Sequence, residues 1–233
     1  MHSSRFVMSS LVAAVLVMPS TSAVVVGWTM PTAFPTGTAV PTGLSYTPYG
    51  SGIADQGDQT AGSQIRSVHT SASTAYTSPA GNGSAYAFSS NYWGAGDFYE
   101  ISFNASNYVG MTLSWDQARS STGPSSFVVS MSVNGGVFQN LYSYSVLQSG
   151  GGGAPGTWTT TTSLSAYSFS GVALNGADNA GPVVVRFVSQ VAGSSTAGSN
   201  RIDNIFVNGS LLPAPGAVAL VGIAALVAGR RRR

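Results

Sequence analysis

The chain contains no cysteine and no lysine, and it has a single glutamate and two histidines. Without cysteine there is no disulfide to staple the fold and no thiolate zinc or iron–sulfur centre. Charged residues make up only 7% of the chain, far below the usual quarter or so. That scarcity is paired with many β-branched and aromatic residues, which points to packed sheet rather than disorder. Every basic residue is arginine, and five of the nine lie near the ends, at Arg5 and Arg230 to Arg233. Between Val24 and Gly229, Arg66, Arg119, Arg186 and Arg201 face seven carboxylates, a net charge of −3. The positive charge of the whole chain therefore belongs to its tail. A nucleic-acid partner, which needs a basic face on the folded domain, is excluded on this ground.

Both ends read as addresses. Residues 1–23 have the three parts of a secretory signal peptide: Arg5, the apolar run from Leu11 to Met18 broken by Pro19, and the small residues Thr21-Ser-Ala23 before a cleavage point after Ala23. The run is too short to span a bilayer, which takes about 20 apolar residues. At the other end, residues 211–233 carry Pro213-Ala-Pro-Gly216, the weakly hydrophobic stretch Ala217 to Gly229, and then Arg230, Arg231, Arg232 and Arg233. Pro215 suits the first turn of a helix, where its missing N–H costs nothing. Six Leu, Ile and Val residues in that stretch favour insertion by about 2–4 kcal/mol, whereas each arginine costs about 3 kcal/mol at the bilayer centre. The helix should stop in the inner membrane with its arginines in the cytoplasm and the domain outside.

This order of Pro-rich motif, short apolar helix and arginine cluster resembles the PEP-CTERM sorting signal of Gram-negative and planctomycete-type bacteria. Ala214 stands where that family usually has Glu. The resemblance covers about 20 residues and implies an exported protein handled by the export machinery and by an exosortase, a membrane-embedded processing enzyme that cuts at the motif. The implied location is the cell envelope, outer surface or extracellular matrix, with transient or stable anchoring in the inner membrane.

Residues 24–50, with Pro31, Pro35, Pro41 and Pro48, read as a Pro/Thr-rich extended arm or edge segment. Residues 51–210 read as one domain of short half-buried strands. Alternation marks Ser84–Phe88, Asp97–Phe103, Val109–Trp115, Ser126–Val133, Gly136–Tyr142, Trp158–Thr162, Val183–Val188 and Arg201–Val207. Asn134-Gly135 between two of these is a type I′ hairpin signal. With no helical period in the interior, the expected fold is all-β: a single β-sandwich of jelly-roll type. The segments Ser78-Pro-Ala-Gly-Asn-Gly-Ser84, Phe88 to Trp93, Gly96 to Glu100, Ser114 to Gln117 and Asn200-Arg-Ile-Asp-Asn204 resemble a domain frequent in proteins with this tail. That resemblance implies a jelly roll like carbohydrate-binding modules and implies no activity.

Catalytic sets are thin. His69 is the one histidine of the domain, without a Gly-x-Ser-x-Gly elbow to accompany it, and it reads as a solvated or core-satisfied residue. Glu100 and Asp97 sit three apart on one strand, so alternation sends them to opposite faces. Glu100 paired with Asp116 is the remaining hydrolase arrangement, while an ion pair of Glu100 with Arg119 or Arg201 is the commoner one. No catalytic residue is therefore assigned and the chain is read as a non-enzyme. No cofactor is called for, with structural calcium the one ion for which Asp55-Gln-Gly-Asp58, Asp178-Asn179 and Asp203-Asn204 offer suitable oxygens. Turn chemistry accounts for the same residues. For ligand binding the candidates are Tyr92, Trp93 and Trp158, whose rings could stack on sugars if exposed; burial in a core or a sheet corner is the competing reading. The expected function is a structural or adhesive envelope protein, with carbohydrate binding to an exopolysaccharide as the alternative and glycan hydrolysis behind both.

Overall fold

The computed structural model describes residues 22–34 and 40–213. The signal segment up to residue 21 and the sorting tail from Ala214 onward lie outside the described residues. Twelve strands form among those described: β1 Ser22–Trp28, β2 Ser45–Tyr46, β3 Gln64–Val68, β4 Tyr76–Thr77, β5 Phe88–Ser90, β6 Phe98–Asn104, β7 Tyr108–Arg119, β8 Ser126–Val133, β9 Gln139–Ser145, β10 Ser168–Ala173, β11 Pro182–Ser189 and β12 Asn200–Leu211. They make two six-stranded antiparallel sheets. The first has the order β10-β7-β12-β5-β4, with β1 also on β12; the second runs β2-β3-β6-β11-β8-β9. No helix among the described residues is long and apolar enough to cross a membrane.

Alternation explains the central strands. In β11, Val183, Val185 and Phe187 are fully buried while Val184, Arg186 and Val188 between them are not. In β7 the buried series Met111, Leu113, Trp115 faces the same interior. Burial of such side chains is worth about 1.5–3 kcal/mol each, and the interior is unusually aromatic. Trp115 stacks on Phe169 and meets Tyr144 and Phe187 edge-on, with ring centroids 5.0–5.1 Å apart.

Several segments behave differently from their sequence pattern. The 24–50 stretch opens with a strand. Val25, Val26 and Trp28 of β1 are buried, β1 pairs with Ile205–Ser210 of β12, and Trp28 Nε1 donates to the Gly52 carbonyl at 2.8 Å. Ser84–Ala87 and Trp158–Thr162 lie in loops, with pairing beginning at Phe88 in the first case. Asn134 and Gly135 do adopt positive φ, 52° and 73°, yet pairing resumes only at Gln139, opposite Met131. Within the unpaired stretch the Phe138 ring lies over the Arg186 guanidinium, 4.0 Å from centroid to Cζ, a cation–π contact.

β12 holds the feature that positions the site. Its register slips between Asp203 and Phe206, and Asn204 adopts φ 46°, a conformation that asparagine tolerates better than most residues. The bulge lets Ile202 and Ile205, three apart, both face the core.

Candidate functional site

Three polar clusters compete for the role of site. The first is a serine–histidine–aspartate set. His69 Nδ1 lies 3.1 Å from Asp97 Oδ2, and its Nε2 lies 2.9 Å from Ser67 Oγ and 3.0 Å from Ser90 Oγ. The geometry has the connectivity of a nucleophilic triad. Its setting rules that use out, because His69, Asp97, Ser67 and Ser90 are 4%, 2%, 0% and 1% exposed and no acyl group could reach either hydroxyl. Asp97 also accepts the Gly94 and Thr70 N–H groups, so the set is a clamp that fixes the 93–97 turn. Of the two expectations for His69, solvated or satisfied in the core, the structure has the second.

The second cluster involves Glu100. Tyr99 and Ile101 face the core, so Glu100 points out of the second sheet, and Asp97 points in, as alternation requires. Its partners are Arg66 and Arg186, directly opposite on β3 and β11 at 2.6 and 2.7 Å. This corrects the expected pairing with Arg119 or Arg201. Asp116 lies on the outer face of the other sheet, between the core residues Trp115 and Gln117, so it shares no cleft with Glu100. Both arginines of the pair are about a third exposed, and a screened ion pair of this kind contributes about 1 kcal/mol. Glu100→Gln should therefore lower the melting temperature by only about 2–4 °C, as a thermal melt would show. A drop beyond 10 °C would contradict this placement.

The calcium candidates are each used in loop closure. Asp55 accepts from the Thr29 backbone and hydroxyl, Asp58 from the Tyr108 hydroxyl, Asp178 from the Gly110 N–H, and Asn179 from the Asn107 N–H. Among the described residues no three His, Cys, Asp or Glu side chains gather as a metal site. Asp203 accepts the Asn82 N–H at 2.9 Å and the Ser84 hydroxyl, while Asn82 and Asn204 both donate to Asp116 Oδ2, at 3.0 and 2.9 Å. These bonds bind the 78–84 loop to the outer face of the first sheet. Gly81 is required there because a Cβ would collide with Ser84 and Asp203.

Beside that loop lies the third cluster, a groove of about 300 Å³ on the outer face of the first sheet. One cross-strand rung, Thr77–Ser89–Arg201–Ala118, crosses β4, β5, β12 and β7 beneath it. Ser89, Asn91, Ser120, Ser149, Arg119 and Arg201 carry its polar lining. Arg201 donates to the Ala80 carbonyl at 3.1 Å and to Ser149 Oγ at 2.6 Å. Its guanidinium lies 4.6 Å from the Trp158 ring centroid. Arg119 donates to the carbonyls of Val146, Ser120 and Ser121. A hollow lined by hydroxyls, an amide and two guanidiniums can hydrogen-bond a polyhydroxylated ligand, and no Asp, Glu or His is among its lining residues.

The aromatic candidates are placed otherwise than expected for stacking platforms. Trp93 is 3% exposed, donates from Nε1 to the Ser90 carbonyl, and packs on His69, Tyr99 and Phe127. Trp158 is 2% exposed, under Arg201 and edge-on to Tyr167. Neither offers a ring face to a sugar, because each face is already covered by protein. Trp158 serves the groove indirectly by holding Arg201. Tyr92, half-buried with φ 53°, sits one residue beyond the groove-lining Asn91. No local signal in the sequence marks the groove: its serines carry no motif, and its arginines come from different strands, β7 and β12.

No family model matches the chain, and no curated protein matches it in sequence. Solved structures resemble it in architecture. The K1 cleaved adhesin domain of Lys-gingipain from Porphyromonas gingivalis is 14% identical over 80% of this chain and 97% of that one, with a TM-score of 0.41. The family 11 carbohydrate-binding module of Clostridium thermocellum, solved with a β-1,3-1,4-mixed-linked tetrasaccharide, is 13% identical over 81% and 99%, with a TM-score of 0.34. A carbohydrate-binding module of Cellvibrio mixtus lichenase 5A, solved with cellotriose, is 16% identical over 57% and 86%, with a TM-score of 0.33.

Proposed function

We propose that this chain is an exported envelope protein whose β-sandwich adheres to polysaccharide through the groove on its first sheet, without catalysis. The observation that carries the reading is the groove: a surface hollow lined by serines, an asparagine and two arginines, built on a rigid four-strand rung. Polar groups fixed on strands lose little freedom on binding, which favours affinity. The connections from β5 to β8 and from β10 to β12 alternate between the sheets, which supports the jelly-roll reading.

Delivery rests on the two terminal addresses: the signal peptide 1–23 and the sorting signal 211–233, with its Pro-Ala-Pro-Gly motif, apolar helix and arginine cluster. An exosortase-type enzyme and the inner membrane are the partners this proposes. Cleavage after Ala23 would leave the β1 pairings from Val24↔Asn208 to Trp28↔Ile205 in place.

The test uses protein recovered from cells, first weighed intact and then run by affinity electrophoresis through gels containing neutral or acidic polysaccharides. The expected mass lacks residues 1–23, and at least one polymer retards migration. Ala197 is exposed and lines the groove, so Ala197→Trp should abolish retardation, while Glu100→Gln on the opposite sheet should leave it unchanged. Retardation by no polymer refutes the adhesive reading, and a cytosolic protein of full mass refutes the addresses.

A further inference from the structure

We infer that the groove is selective for acidic polysaccharide, with Arg119 and Arg201 holding the carboxylate of a uronic-acid residue. This rests on the polysaccharide-binding reading above and names the ligand class of the same site.

The argument begins with charge. Glu100 takes both Arg66 and Arg186. Arg119 and Arg201 have no carboxylate partner among the described residues; they bond only to backbone carbonyls and to one serine hydroxyl. Half-buried guanidiniums without an ion-pair partner carry a desolvation cost, which the Trp158 face and the charge of Asp203 offset only in part at Arg201. Burial draws the Arg201 pKa below its ordinary value, which shows the direction of that cost. The two arginines line one groove, and no carboxylate lines it with them. The neighbouring acid on β12, Asp203, is fully buried and turned into the 78–84 loop.

Donor capacity fits the same ligand. A guanidinium has five N–H donors. Arg119 uses Nε and both hydrogens of one terminal nitrogen, which leaves the other NH₂ free. Arg201 uses one hydrogen on each terminal nitrogen. The Trp158 ring beneath it and Ser149 beside it fix the plane of the fork. A planar fork held in place matches a carboxylate better than a hydroxyl. Ser120 and Asn91 accept from the Ser199 and Ala75 N–H groups, which leaves the Ser120 hydroxyl proton and the Asn91 NH₂ as donors for ring hydroxyls. A neutral sugar would satisfy the hydroxyl-binding groups and leave both guanidiniums without an ion-pair partner.

The test compares polygalacturonate, carboxyl-reduced polygalacturonate, a neutral β-glucan and dextran sulfate, using the full chain in mild detergent at two salt concentrations. Affinity for polygalacturonate should exceed that for its carboxyl-reduced form by at least tenfold and fall with salt. Arg201→Gln should lose most of this difference while its melting temperature shows that it still folds. Because the reduced polymer carries the same comparison without any mutation, the outcome does not depend on the variant. Equal affinity for the two polymers overturns selectivity but leaves polysaccharide binding standing. Binding to dextran sulfate alone replaces uronate recognition with sulfate recognition and overturns the inference. Failure to bind any polymer overturns both readings.

Discussion

Replacing Gln117 by leucine is expected to destabilise the domain by about 4 kcal/mol, a fall of about 10 °C in melting temperature. Gln117 is fully buried. Its Oε1 accepts from Trp115 Nε1 at 3.1 Å and from the Tyr144 hydroxyl at 2.6 Å, and its Nε2 donates to Asn200 Oδ1 at 2.8 Å. Leucine fills nearly the same volume, so the loss is one of polarity rather than packing. Two donors and one acceptor would remain buried without partners, each costing about 1–3 kcal/mol before relaxation. Asn200 also receives the Tyr99 hydroxyl and Ser89 Oγ on its carbonyl, and Ser89 and Arg201 flank it in the groove. The variant should thus weaken polysaccharide retention as well as stability. A melting temperature within 2 °C of the parent would show that the network does not hold the β7–β12 register.

The second large effect depends on pH. Burial, with the charge of Asp116 adding to it, pushes the Asp203 carboxyl up to about 7. In the unfolded chain an aspartate titrates near about 4. Between those values the folded protein holds a proton that the unfolded chain has released. Stability therefore falls as pH rises through that window and levels off above about 7. The contribution at stake is about 2–4 kcal/mol. Asp97 acts in the opposite sense. Burial alone would raise its pKa, but hydrogen bonds from His69 and from the Gly94 and Thr70 N–H groups outweigh burial and hold it below the usual value. Its contribution is present above the unfolded pKa and is lost as pH falls through the folded one. The domain should be most stable in mild acid. Asp203→Asn should remove the decline between about pH 4 and 7, since an amide oxygen still accepts from Ser84 and Asn82. At pH 8 the variant should melt about 5–10 °C above the parent, whereas parallel melting curves from pH 5 to 8 would contradict the assignment.

Residues whose environment is set by their own strand were legible in the sequence. The alternation of β6, β7, β8 and β11, the positive φ of Asn134-Gly135, and the opposite faces of Asp97 and Glu100 all follow from local geometry, whereas the bulge in β12 does not. The prolines of 24–50 point to an extended arm or edge segment; β1, built on Val24-Val-Val26, is a strand whose one strand partner among the described residues is β12. The groove was not legible, since its rung joins Thr77, Ser89, Arg201 and Ala118 through pairings between strands far apart in the chain. The same long-range pairing decides which arginine meets Glu100, and register cannot be read from one strand. Of the two readings for Trp158, a sugar platform after a glycine run or a buried ring, the structure has the second; what the sequence does not show is Arg201 closing over it, a contact between residues 43 positions apart.

Hydrogen–deuterium exchange on the full chain, with and without polygalacturonate, tests the central claim most directly. The account predicts slower exchange in Ser89–Asn91, Arg119–Ser120 and Ser199–Arg201, three of the segments that line the groove. Protection on β3, β6 and β11 instead, or no protection under conditions where the gel shows retention, would place the ligand elsewhere and contradict it.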